Sequence, residues 1–163
     1  MQMQRYFFIL FVLVFALESS AQIGTGQWRM HISPKKAVSV TQGNGSVYVA
    51  LSKGLLEYDL TAGEITRRTA ADYLSDNELT DVYYHSERKR VYIGYVNGNL
   101  DVLENERIMN INAINVAQLT GSKRINRIEG RGNEVYLATG FGIVVMNAQK
   151  LEVKDTYYPS AGN

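Results

Sequence analysis

The chain has 163 residues, with 17 Lys and Arg against 16 Asp and Glu, and a net charge of +1 gives nucleic acid no long-range attraction. The absence of Cys excludes disulfides, thiolate metal ligands, a thiol nucleophile and a lipid anchor through Cys. Fourteen Gly, eleven Tyr and only two Pro suit an all-β chain with frequent turns, in a length that fits one ordinary domain.

The N-terminus reads as a targeting segment. Arg5 supplies a positive start, Tyr6 to Leu17 is an unbroken apolar run, and Ser19-Ser20-Ala21 offers small residues before a cut. A helix of that run rises about 18 Å, too short for a hydrocarbon core of about 30 Å. A cleavable signal over residues 1–21 is therefore expected, with Gln22 as the mature start and export from the cytoplasm as the consequence. Arg5 and Glu18 cancel, so residues 22–163 still carry +1.

Gln27 to Ile32 alternates loosely and is expected to be a strand, with Trp28 as an ordinary packing residue, before Pro34-Lys35-Lys36 breaks the run. Beyond it the chain repeats. Val47-Tyr48-Val49-Ala50 with Gly54 returns as Val91-Tyr92-Ile93-Gly94 with Gly98, then as Val135-Tyr136-Leu137-Ala138 with Gly142, each step spanning 44 residues. A period in that range, built from short strands, points to propeller blades.

The first repeat divides into four strands. Val38 and Val40 lead to the turn Gly43-Asn44-Gly45, Val47 to Leu51 runs back, Leu56, Tyr58 and Leu60 alternate, and Ile65 to Thr69 follows Thr61-Ala62-Gly63. In the second, Val82 and Tyr84 precede the turn Glu87 to Arg90, then Val91 to Tyr95, and Ile108 to Ile111 forms the outer strand. Equal spacing gives Leu100 and Val102 the places of Leu56 and Tyr58. The third repeat has Ile128, the turn Arg131-Gly132-Asn133, Val135 to Thr139, and Val144 and Met146 in the places of Leu100 and Val102, closing with Val153 to Tyr158. Asn126 stands where Val38 and Val82 stood, so this first strand is expected to be weaker or shifted.

The predicted fold is therefore an all-β propeller arc of about three four-stranded blades, at approximately 37–69, 79–112 and 123–158, within a partial domain over 22–163. Small residues at 50, 94 and 138 let sheets approach, and Tyr48, Tyr92 and Tyr136 are expected to pack between blades. Three blades leave two broad faces wet, whereas propellers close with about 4–8. The start of a longer protein is the expectation, with a homodimer forming a six-bladed ring as the alternative.

Chemistry is sparse. There is no nucleophile elbow or phosphate loop, and Gly140-Phe141-Gly142 reads as a turn with no helix behind it. His31 and His85 lack ligand spacing and are expected at surface or packing positions. Asp72, Asp76, Glu78 and Asp81 cluster around one loop, but their spacing is not that of an EF-hand, and turn and cap roles account for them. No metal, cofactor or catalytic set is expected. Two basic groups remain: Arg88-Lys89-Arg90 in a turn, and Lys123, Arg124 and Arg127, with Arg131 beyond. The set Lys123, Arg124 and Arg127 is the candidate contact for an anionic glycan.

Tyr73-Leu74-Ser75-Asp76-Asn77-Glu78-Leu79-Thr80-Asp81-Val82, with Val91-Tyr92-Ile93-Gly94 and Asn97-Gly98, resembles the two-component-regulator propeller repeat. Trp28 to Ile32, Thr120 to Asn126, Gly140 to Met146 and Lys154 to Tyr158 narrow this, and together the segments resemble the N-terminal propeller domain of the PorZ family of type IX secretion. The resemblance spans essentially the whole mature chain. It implies a non-enzymatic role at the surface of a Gram-negative bacterium, with secretion-system attachment-complex proteins and anionic lipopolysaccharide as partners. That family's usual layout is two propellers and a C-terminal sorting domain, more than this chain holds, and the resemblance supplies no catalytic motif or site residue. Two alternatives stay open: a periplasmic sensor propeller of a two-component regulator, and a fragment of a propeller polysaccharide lyase.

Overall fold

Short runs of β-branched and aromatic residues separated by Gly and Asn turns become four-stranded sheets in the computed structural model, which describes residues 36–159. The leader expected at 1–21 and the strand expected at 27–32, with Trp28 and His31, lie outside the described residues. The first sheet comprises β1 (Ala37–Gly43), β2 (Ser46–Leu51), β3 (Gly54–Asp59) and β4 (Ile65–Arg68). The second comprises β5 (Leu79–His85), β6 (Arg90–Tyr95), β7 (Leu100–Glu104) and β8 (Arg107–Ile111). A short helix α1 (Ala113–Val116) precedes the third, β9 (Ile125–Arg131), β10 (Glu134–Thr139), β11 (Ile143–Asn147) and β12 (Glu152–Tyr157). Each sheet is antiparallel with its strands in chain order, and the three form an open arc of propeller blades. The β1–β2 hairpin turns on Asn44 and Gly45, whose φ values of 52° and 80° lie in the left-handed region that lets a two-residue turn follow the right-handed twist of its strands.

Hydrogen-bond register refines the period. Every first strand carries a β-bulge at the same place, leaving Val38, Thr80 and Asn126 as the extra residues. Beyond the bulges, Val40 pairs with Val49, Val82 with Ile93 and Ile128 with Leu137. Val40 and Ile128 thus stand in the place of Val82, and Asn126 stands in the place of Val38, two full periods on. The expected weakening or shift of the third sheet's first strand is not found: β9 is as long as β1 and in step with it. The strand out of step is β5, because the β5–β6 turn holds four residues where the β1–β2 and β9–β10 turns hold two.

A second equivalence needs correction. Tyr48 pairs with Glu57, Tyr92 with Val102 and Tyr136 with Val145. Ala50 pairs with Leu55, Gly94 with Leu100 and Ala138 with Ile143. Leu100 and Val102 therefore take the places of Leu55 and Glu57 rather than Leu56 and Tyr58, and their counterparts in the third sheet are Ile143 and Val145 rather than Val144 and Met146. The cause is one additional residue in the β6–β7 turn. Because strand side chains alternate, that insertion turns every β7 side chain to the other face relative to equal spacing.

The register gives each sheet a direction. Tyr48, Ala50 and Leu55 of the first sheet pack against Val82, Val91 and Ile93 of the second. Tyr92, Leu100 and Val102 of the second pack against Ile128, Val135 and Leu137 of the third. The Tyr-small face thus looks forward and the Val-aliphatic face looks back. A Cβ on Gly94 would lie 2.8 Å from Ile125 Cγ2, so the small residue is what lets the third sheet close in. His85 is buried in this second interface, its ring 6.3 Å from those of both Tyr83 and Tyr92. It is a packing residue.

Candidate functional site

The three basic residues singled out by sequence follow α1 at the entry to β9. Lys123 donates from Nζ to the Asn115 carbonyl at 2.6 Å, bracing the loop back onto the helix. Its backbone also presses on the β6–β7 turn, where a Cβ at Gly98 would stand 2.9 Å from the Lys123 carbonyl oxygen. Arg124 accepts from the Gly140 amide at 3.2 Å through its carbonyl, while its exposed guanidinium has no partner among the described residues. Arg127 lies within β9 and donates from Nε and Nη2 to Glu129 Oε1 at 3.0 and 2.7 Å. The Glu129 carboxylate, then Asp81, raises the Arg127 pKa above its ordinary value. The structure does not bring these residues to one point: Lys123 meets α1 and the β6–β7 turn, Arg124 the β10–β11 turn, and Arg127 its own strand. Arg124 is the uncommitted cation of the set.

The other basic group is structural. Arg88 donates to Asn133 Oδ1 at 2.8 Å, and Arg90 is ion-paired to Glu104 at 2.9 Å. Asp72 and Asp76 behave as turn chemistry suggests, whereas Asp81 does not, being a buried residue of β5. Asp72 Oδ1 accepts from the Thr69 amide at 2.8 Å, and Asp76 Oδ1 from the Asn77 amide at 2.7 Å. Among the described residues no group of three His, Asp or Glu side chains is placed to hold a metal ion.

Sequence reasoning missed a row of polar contacts across the inner strands. Ser39, Asp81 and Arg127 each follow the bulge of their strand, at spacings of 42 and 46 residues that equal-period matching skips. Asp81 is buried, takes the Ser39 hydroxyl on Oδ1 at 2.5 Å and the Ile128 amide on Oδ2 at 2.7 Å, and lies 4.0 Å from the Arg127 guanidinium. A buried carboxylate is tolerable only when so satisfied. One side chain thereby ties three sheets together. Thr41 Oγ1 and Tyr83 extend the row, accepting from the Tyr84 amide at 3.1 Å and donating to the Gly130 carbonyl at 3.0 Å. In the third sheet the corresponding Arg127 and Glu129 bind each other on an open face.

Two grooves open beside the sheet interfaces. A cavity of about 250 Å³ lies between the first and second sheets at the β1–β2 turn end, lined by Ser46, Tyr48, Glu57, Asp59, Lys89 and Glu106. Desolvation, then the charge of Glu57, pushes the Tyr48 phenol up to about 12. The second, about 280 Å³ and apolar, lies at the opposite end among Ile114, Leu119, Phe141, Val144 and Tyr158.

A family model described as the N-terminal β-propeller domain of PorZ of the type IX secretion system matches residues 33–162. No curated protein sequence matches the chain. Among solved structures, PorZ of Porphyromonas gingivalis, described as an essential bacterial surface component of the type-IX secretion system, is similar with a TM-score of 0.69 and 27% identity over 75% of this chain. The chain spans 17% of the length of that PorZ. The extracellular domain of a putative hybrid two component system from B. thetaiotaomicron gives a TM-score of 0.66 at 15% identity, covering 82% of this chain and 18% of the other. The computationally designed Ika4 protein gives 0.58 at 13%, covering 82% of this chain and 80% of its own. These last two likenesses are of fold alone.

Proposed function

The chain belongs to the family of PorZ N-terminal β-propeller domains, and on that premise we propose that it is a non-enzymatic, exported propeller module of type IX secretion. It acts at the surface of a Gram-negative cell, joined to secretion-system attachment proteins and in contact with anionic lipopolysaccharide. The observation that carries this reading is the family match over residues 33–162, supported by 27% identity to the surface component from P. gingivalis. Export rests on the leader expected at 1–21. Among the described residues no helix is long and apolar enough to cross a membrane.

Within the basic set, Arg124 is the first contact for an anionic glycan, because a guanidinium without an internal partner can give both N–H donors of its fork to a phosphate or carboxylate. Lys123 shapes the loop that presents it. Arg127 is the weakest candidate: its counterparts Ser39 and Asp81 both face a following sheet, and an anion there would compete with Glu129. The test is a pull-down of the full chain on immobilised anionic lipopolysaccharide. Arg124→Glu is expected to weaken capture about tenfold, the scale of one charge-assisted contact, and Arg127→Ala to change it little. Undiminished capture by Arg124→Glu contradicts the assignment. Cross-linking in native envelopes is expected to recover other secretion components with this chain, and their absence contradicts the secretion role.

A further inference from the structure

The two inter-sheet grooves at the β1–β2 turn end are copies of one another, and only one is filled. Ser46 pairs across the strands with Asp59, two residues before the Tyr48–Glu57 pair. In the second sheet Arg90 faces Glu104 at the same place, two residues before the Tyr92–Val102 pair. Ser46 and Arg90 are therefore equivalent, both turned toward the following sheet, and Asp59 stands for Glu104. Likewise Leu103 and Met146 pair with the equivalent Val91 and Val135, which puts Asn105 and Glu106 in the places of Ala148 and Gln149.

In the groove between the second and third sheets, the Arg90 guanidinium occupies the space. It donates to both Glu104 oxygens at 2.9 and 3.1 Å, and to the Ala148 carbonyl at 2.5 Å. In the groove between the first and second sheets, the short Ser46 side chain leaves the cavity of about 250 Å³. Its walls keep the acceptor character of the filled copy. Glu57, Asp59 and Glu106 line it, Lys89 stands at its rim, and Arg68 reaches Glu57 and Glu106 from β4 at 2.9 and 2.7 Å. Three carboxylates against two cations leave one negative charge unmatched. The molecule thus contains its own demonstration of what this geometry accepts.

We propose that the groove between the first and second sheets is a receptor site for a guanidinium group, supplied by an arginine side chain of a partner protein. The incoming group takes the place that Arg90 holds one blade later, against Asp59 and the β7–β8 turn. This cationic ligand site is independent of the anionic-glycan reading, since Lys123 and Arg124 lie at the other end of the sheets, and either can fail without the other. Asp59 Oδ1 already accepts from the Thr61 and Ala62 amides, and arginine discriminates here because one planar guanidinium spans a carboxylate and a backbone carbonyl at once, as Arg90 does with Glu104 and Ala148.

The test is an NMR titration of the full chain with N-acetyl-arginine amide, with the neutral isostere N-acetyl-citrulline amide as control and an arginine-containing tripeptide as the polypeptide probe. The arginine amide and the tripeptide are expected to shift resonances of Ser46, Tyr48, Lys89 and Asn105, and the citrulline amide to leave them in place. Ser46→Arg is expected to abolish the shifts by filling the groove in cis, and to raise Tm by recreating the Arg90–Glu104 pair with Asp59. Asp59→Asn, which keeps an oxygen for the Thr61 and Ala62 amides that Asp59 Oδ1 accepts from at 2.7 and 2.8 Å, is expected to abolish them without filling the groove, and decides the matter if Ser46→Arg does not fold. Absence of shifts with the arginine amide, equal shifts with citrulline amide, or binding that survives either substitution overturns the proposal. Shifts with the free amide but none with the tripeptide overturn the assignment to a protein partner.

Discussion

Among the described residues the second sheet is covered on both faces and its neighbours on one, although all three carry the same Val-Tyr-aliphatic-small pattern in the second strand. Tyr92 is fully buried, whereas Tyr136, its copy one repeat later, is 37% exposed. Across the first sheet, Val40 and Tyr58 lie on the backward face at 64% and 38% exposure, while Val82, the copy of Val40, is buried. The contrast shows that the repeat has polarity. A Tyr-small face seats the Val-aliphatic face of the next sheet, and what an aromatic contributes depends on whether that next sheet is present.

The largest expected effect tests that polarity at one residue type. Tyr92→Ala should lose about 3–5 kcal/mol in urea unfolding, the range for truncating a large aromatic in a packed core. Tyr136→Ala should lose less than about 1 kcal/mol, as for substitutions away from packed positions. Equal losses would break the comparison. Next comes the inner row, where burial again separates two equivalent positions. Asp81→Ala should cost about 1–3 kcal/mol for each polar partner left unsatisfied, the Ser39 hydroxyl and the Ile128 amide. Arg127→Ala, at 63% side-chain exposure, should stay within about 0.5 kcal/mol.

A smaller effect distinguishes the interfaces by pH. Burial raises the Tyr48 phenol from 10 to about 12, so the folded state holds that proton more tightly than the unfolded chain. Its contribution is full below pH 10 and is lost as pH rises through 12. Tyr48→Phe should therefore flatten that part of the alkaline unfolding profile, and an unchanged profile contradicts the assignment. Burial and Asp101 also raise the Tyr95 phenol, so part of the alkaline loss remains in the variant. The smallest change expected is Arg124→Ala, which should leave Tm unaltered because its guanidinium has no partner among the described residues.

Much of this architecture is legible in the sequence because short-range chemistry writes it. Turn pairs such as Asn44-Gly45 end strands, and alternation assigns faces. The repeated Tyr with a small residue two positions on marks the interface. What equal spacing hides depends on insertions. One extra residue in the β6–β7 turn moves Leu100 from the register of Leu56 to that of Leu55, and two extra residues in the β5–β6 turn put Asp81 at spacings of 42 and 46 residues from its counterparts. The candidate site was less legible still. Lys123 spends its charge on a backbone carbonyl, a partner with no signature in the side-chain sequence. The Ser46 and Arg90 pair does fall on the 44-residue period, yet its meaning appears only once the two grooves can be laid side by side.

The polarity of the repeat is tested most directly by native-state hydrogen exchange on this chain, comparing the amides of β2, β6 and β10. All three are second strands hydrogen-bonded on both edges, so ladder position does not separate them. Covering on both faces should make β6 the slowest to exchange, with β2 and β10 opening more readily. Protection of β10 equal to that of β6 would contradict the account, since the forward face of the third sheet would then be as well seated as that of the second.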